Sequence, residues 1–206
     1  MVLKTIRTAT DRWSQKDSEF SSMFEPYTGD EVIALDCEMT SLDTQKAELV
    51  SIAAVKIKGN QVLTSDKLDI KLQKPENLTG ESIKVHRIRG VDLLGGEVLG
   101  DALQQLLEFI DNRPIMGYNI AYDITVLNRF IRPRFGFSLP NKTIELSQCY
   151  MAQLQRATPD IEPDLKFETI AKKLDVPMVG QRHTALGDAI TTALMYVRLL
   201  KDAVPT

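Results

Sequence analysis

The chain has 206 residues, enough for one substantial domain, or one domain with an arm, that needs no covalent staples. Apolar residues make up 43% and charged residues 26%, which excludes wholesale disorder. With 25 basic and 28 acidic residues the net charge is −3, which argues against coating long nucleic acid by bulk charge but not against gripping one strand end.

Residues 1–30 are polar and mixed, punctuated by Trp13, Phe20, Met23, Phe24 and Tyr27. They read as an arm, partly helical, packed by its aromatics on a domain spanning 31–206. Lys4, Arg7, Asp11 and Arg12 interrupt the first thirteen residues, so no signal-peptide core is present there. Thr28-Gly29-Asp30 reads as the turn into the domain. The apolar, β-branched run Val32–Leu35 predicts a buried strand, and Leu49–Lys58 a second. Lys58-Gly59-Asn60 is a hairpin turn leading into a third strand over Val62–Leu72. Three strands with short links predict an antiparallel meander.

The pattern then turns helical. Leu103, Leu106, Leu107 and Ile110 recur at helical spacing behind Asp101. Pro114–Gly117 is a short strand, and Ile124, Leu127 and Ile131 mark a helix that Pro133 is expected to stop. Lys142–Leu146 reads as a strand, followed by helix to about Gln155. Leu165–Leu174 and Ala185–Leu200 complete the helices, the last with Ile190, Leu194 and Val197 on one stripe. A meander followed by alternating helix and strand predicts an α/β fold with a mixed sheet and helices on its faces. Cys37 and Cys149 form neither a disulfide framework nor a metal-ligand spacing, which favours a reducing cytoplasm. No stretch approaches ~20 uncharged apolar residues, so no membrane span is expected.

Four carboxylates and one histidine carry the chemical signal. Asp36 and Glu38 lie two apart at the end of the first strand, so they share a face, while Leu35, Cys37 and Met39 share the other. Cys37 therefore reads as a small buried hydrophobe. Two adjacent carboxylates repel and need a cation or a proton. Asp123 sits in the first turn of a helix, where the macrodipole favours it, with Asn119 as a candidate cap. Asp188 lies among Ala185, Leu186, Ala189 and Ile190, a setting in which a carboxylate wants a partner. Five helical steps separate it from His183, so the two converge only if His183 folds back from the loop before the helix. Each signal alone has an ordinary structural explanation. His86, in Val85-His86-Arg87-Ile88, is balanced between a core histidine and a substrate contact.

In order along the chain, Asp36-x-Glu38, Asn119-x-x-x-Asp123 and His183-x-x-x-x-Asp188 resemble the DEDDh family of 3′–5′ exonucleases, most closely the proofreading epsilon subunit of bacterial DNA polymerase III and its free-standing relatives. The resemblance runs from about Glu31 to Leu200. It departs at Ser41, where the family often has glycine, and at Tyr118, where histidine is frequent. It implies a ribonuclease H-like fold, a five-stranded mixed sheet flanked by helices. It implies hydrolysis of phosphodiester bonds from the 3′ end, most readily of single-stranded or frayed DNA, releasing nucleoside 5′-monophosphates. Asp36, Glu38, Asp123 and Asp188 would hold two divalent cations, Mg²⁺ or Mn²⁺, with His183 as general base. Amides near Met39 and Thr40, the Thr40 hydroxyl, and Leu42, His86, Tyr118, Asn119 and Tyr122 are the expected substrate contacts. Association with a DNA polymerase is compatible with the resemblance, although the polymerase-binding tail typical of the epsilon subunit has no counterpart in this sequence. Two alternatives stay open: trimming of RNA 3′ ends, and a catalytically silent nucleic-acid-binding member. All five catalytic positions being filled weighs against the latter.

Overall fold

The computed structural model describes residues 9–203, with side chains described as far as residue 201. Strands β1 (Glu31–Met39), β2 (Leu49–Lys58) and β3 (Gln61–Lys71) form the expected meander, turned between the last two by Gly59 at φ +57°. β4 (Ile115–Gly117) and β5 (Thr143–Glu145) add in parallel on the other edge, giving one sheet in the order β3-β2-β1-β4-β5. Helices follow as α1 (residues 9–14), α2 (Gly80–His86), α3 (Leu99–Ile110), α4 (Ile120–Phe135), α5 (Leu146–Ala157), α6 (Phe167–Lys173) and α7 (Ala185–Ala203). This is the five-stranded mixed sheet with flanking helices that the motifs implied. Among the described residues no helix is long and apolar enough to cross a membrane.

Strand alternation divides the core into two. Ile33, Leu35, Cys37 and Met39 of β1 face a cluster built with Leu103, Leu106 and Leu107 of α3 and Val126, Leu127 and Ile131 of α4. Ala34 faces the opposite cluster, with Leu146, Ile170, Ala193 and Met195 from α5, α6 and α7. Asp36 and Glu38 share the face of Ala34, so both carboxylates look toward the α7 side. Gly117 lets the next element come close: a Cβ there would lie 2.9 Å from the carbonyl oxygen of Leu35 and 2.7 Å from Ile120 Cδ1.

The segment before β1 packs into the first cluster through Phe20, Met23 and Phe24. Phe20 meets Phe135 edge-on at 5.4 Å, and Phe24 meets Phe137 likewise. Asp11 is buried beside Arg132 at 3.2 Å. Trp13 does not join them; it is 75% exposed. Residues 1–8 of the expected arm lie outside the described residues.

Pro133 does not stop α4. The helix runs on to Phe135 and ends at Gly136, which takes φ +81° and donates its N–H to Arg132 O. One proline in the last turn removes one hydrogen bond near an end that was about to fray, and the left-handed glycine provides the real terminus.

Candidate active site

The end of β1 gathers the acidic residues. Asp36 and Glu38 extend from β1, opposite a bulge in β2: Ser51 pairs with Glu38 and Leu49 with Met39, leaving Val50 as the extra residue. Asp123 reaches them from the first turn of α4; its Oδ1 accepts the N–H of Cys37 at 3.1 Å. Asp188 arrives from the first turn of α7 and is buried. His183 does fold back from the preceding loop. It adopts φ +60°, a costly conformation for a residue with a Cβ, and its own N–H donates to Asp188 Oδ2 at 3.1 Å. Ligand atoms of Glu38, His183 and Asp188 lie within 4.8 Å of one another. All five predicted catalytic residues therefore converge.

The electrostatics are those of a crowded acidic pocket. Burial pushes the Asp36 carboxyl well above its usual range, and Asp123, Glu38 and Asp188 push it further. Glu38 is pushed up to about 8 by burial and by Asp188 and Asp123. Burial raises Asp123 to about 7, against hydrogen bonds that favour its charge. Asp188 is raised by burial and relieved in part by Arg182, whose Nη1 donates to Asp188 Oδ2. Asp188 Oδ1 is buried and has no hydrogen-bond partner. An orphaned carboxylate oxygen beside further carboxylates fits a divalent cation.

A cleft of about 480 Å³ opens from this cluster, lined by Glu38, Met39, Thr40, Leu42, Tyr122 and His183 on one side and by α2 on the other. Leu42 stands 92% exposed at its rim. Thr40 offers less than expected. Its N–H donates to Glu48 O, and its Oγ1 accepts from Glu48 N–H, so the amide is taken and only the hydroxyl proton and one lone pair remain for a ligand. Tyr122 Oη donates to Ser41 O, and burial raises its phenol to about 12. Tyr118 turns aside: its hydroxyl donates to Leu165 O at 3.0 Å and its ring meets Phe167 edge-on. Asn119 is exposed at the N-cap of α4 in the left-handed conformation, but its side chain caps nothing. Glu145 Oε2 accepts the Ile120 N–H instead, at 3.0 Å. His86 lies outside this cleft, 2% exposed and behind the loop that carries His183.

Three features escaped the sequence reading. Helix α2 forms the far wall of the cleft through Thr79, Glu81, Ser82 and Val85. Its signal is present in the reciprocal cap of Thr79 and Ser82, but serine at the third helical position is a weaker mark than glutamate. Arg182 bridges Asp188 and Glu168, and Glu145 caps α4 from 25 residues away. No local pattern announces either long-range partner.

Residues 33–196 match the RNase_T family, described as exonuclease. The chain is 25% identical over 171 residues to DNA polymerase III subunit epsilon of Aquifex aeolicus, covering 82% of this chain and 80% of that protein. It is 28% identical over 174 residues to the epsilon subunit of Rickettsia conorii, covering 82% and 73%. Against the PolC-type DNA polymerase III of Halalkalibacterium halodurans, identity is 25% and the chain spans 12% of that protein. Among solved structures, the nuclease domain of 3′hExo, a DEDDh family member bound to rAMP, superposes with TM-score 0.69 at 14% identity, covering 87% of this chain and 96% of that one. E. coli Exonuclease I in complex with a dT13 oligonucleotide gives TM-score 0.68 at 15% identity, covering 86% and 42%. With residues 33–196 matched by its model, the chain belongs to the RNase_T exonuclease family.

Proposed function

We propose that the protein is a metal-dependent 3′–5′ exonuclease that releases nucleoside 5′-monophosphates from the 3′ end of single-stranded or frayed DNA in the cytoplasm. The observation that carries this reading is the buried, unpartnered Oδ1 of Asp188, set among Asp36, Glu38 and Asp123 with His183 at the rim. Asp36, Glu38, Asp123 and Asp188 would hold two divalent cations, which supply charge stabilisation at the attacking and leaving oxygens of an in-line displacement. His183 is exposed and reaches the cluster from the loop, so it can take the proton from the attacking water and pass it to solvent. The Thr40 hydroxyl proton points the terminal nucleotide. Leu42 and the half-exposed Val85 of α2 flank the cleft as apolar surfaces for a base, a contact that accepts any sequence. Exonuclease I was solved with single-stranded oligonucleotides, which supports DNA as the strand.

The test is digestion of labelled single-stranded DNA, duplex DNA with a mismatched 3′ end, and RNA, each with Mg²⁺ and with Mn²⁺. Preference for the two DNA substrates is the expected result. The 3′hExo nuclease domain was solved with rAMP, and faster cutting of RNA would move the assignment to an exoribonuclease. A polymerase partner, as the epsilon relatives' names suggest, is tested by co-purification from the source cells.

A further inference from the structure

A second cavity, about 630 Å³, lies behind the loop that carries His183. Its size is ordinary for a ligand site. The floor is the sheet and one wall is the end of α2. Gln181 and Thr184 close it from the loop side and Leu186 from the start of α7. The register explains its position. Glu38 pairs with Ser51, and Ser51 pairs with Lys71, so these three side chains form a row on the α7 face across β1, β2 and β3. Glu38 belongs to the acidic cluster, while Ser51 and Lys71 line the cavity beside it.

Two buried polar groups on this wall have no partner. His86 is 2% exposed, and its Nδ1 accepts the N–H of Ile88 at 3.0 Å. The neutral ring therefore carries its proton on Nε2. That N–H is buried without an acceptor. Ser51 is 4% exposed, and its Oγ is likewise buried without a partner. Orphans of this kind are uncommon, and each calls for an explanation. The charges at hand are mostly positive: Lys71 and Arg87 line the cavity, Arg89 is tied to Asp92, and Asp69 is the remaining carboxylate. Two hydrogen-bond donors beside two cations are the recognition set for an oxyanion.

We propose that this cavity is a second subsite that binds a phosphate group, held by His86 Nε2–H, the Ser51 hydroxyl, Lys71 and Arg87. The chemistry of the subsite is independent of the nuclease reading, which it uses only for the source of the phosphate: an internucleotide phosphate of a bound strand, or a free nucleoside 5′-monophosphate. A phosphate seated against Gln181 and Thr184 braces the loop from behind, so occupancy is coupled to the placement of Arg182 and His183.

The chain has two histidines, which makes the test direct. In full-length Asp36→Asn protein labelled with ¹⁵N, the imidazole signals of His86 and His183 are followed during titration with inorganic phosphate, thymidine 5′-monophosphate, (dT)₂ and (dT)₈. The His86 Nε2–H signal is expected to shift saturably, and Ser51→Ala or Lys71→Ala to weaken that binding about tenfold. Ser51→Ala loses one hydroxyl, and Lys71 is exposed, so both variants should fold. A response to phosphate and the mononucleotide assigns the site to free nucleotide, and a response to (dT)₈ but not (dT)₂ assigns it to the strand. If no probe moves His86, or if its midpoint is unchanged in both variants, the cavity holds only water and the proposal is wrong. A response of His183 alone overturns the subsite and leaves the nuclease reading standing. A His86 response in a protein whose wild type cuts no nucleic acid does the reverse.

Discussion

Arg182 holds Asp188 from one side only. Its guanidinium donates to Oδ2, which also accepts the His183 N–H, while Oδ1 is buried and unpartnered. Arg182 is itself anchored by Glu168 at 2.8 Å and lies 4.2 Å over the ring of Phe167. The positive charge nearest the proposed cation site is thus built into the fold.

That arrangement sets a competition. A fixed guanidinium beside Asp188 repels an incoming divalent cation. Arg182→Ala should therefore bind Mn²⁺ several-fold more tightly, by roughly 1 kcal/mol at the effective dielectric of a partly exposed pair. Titration followed by electron paramagnetic resonance reads this directly. Weaker binding in the variant would show that Arg182 instead helps to shape the site.

The crowded carboxylates also predict how stability depends on pH in chelator. Glu38 near 8, Asp123 near 7 and a raised Asp36 all exceed their unfolded values, so the folded state binds more protons. The stability these groups contribute should be fully present below about pH 4 and be lost as pH rises from there through about 8. Asp36→Asn should raise the melting temperature in chelator at pH 8 by several degrees, and excess Mg²⁺ should do the same for the wild type. Melting curves at pH 5 and 8.5, with and without Mg²⁺, check the sign; a wild type more stable at pH 8.5 in chelator would contradict it.

His183 should separate from the carboxylates in its effects. His183→Ala is expected to lower turnover about 10²–10⁴-fold while Mn²⁺ affinity changes little, whereas Asp188→Ala should lose both. Paired turnover and Mn²⁺ titrations distinguish the roles. If His183→Ala loses affinity as fully as Asp188→Ala, the histidine is a ligand rather than a base.

Leu42 is exposed enough for its energetics to be all substrate and no fold. Leu42→Ala should leave the melting temperature unchanged and lower kcat/KM on single-stranded DNA about five- to tenfold, the loss of one stacking or wedging contact. Equal efficiency in the two proteins would remove Leu42 from the substrate path.

The sheet and the acidic cluster were legible because they rest on periodicities and short spacings. Alternation alone put Asp36 and Glu38 on one face, and the ordered motifs brought in Asp123, His183 and Asp188. What was not legible depends on partners distant in sequence. Asn119 has the right residue type for a cap, yet its left-handed backbone turns the side chain away and Glu145 takes the task. Tyr118 reads as a substrate contact, and no local pattern announces that its hydroxyl donates to Leu165 O. His86 follows Val85 of the cleft wall directly in α2, but the helix turns it the other way, into the cavity behind the loop of His183.

The central claim is metal-dependent hydrolysis from the 3′ end by the cluster around Asp36. It is tested most directly with a 5′-labelled single strand, digested by wild type and Asp36→Asn in Mg²⁺ and in excess chelator. The account predicts a ladder that shortens one nucleotide at a time from the 3′ end, for the wild type with Mg²⁺ only, while Asp36→Asn stays folded and cuts nothing. A labelled mononucleotide at the earliest times, or undiminished cleavage in chelator, would contradict it.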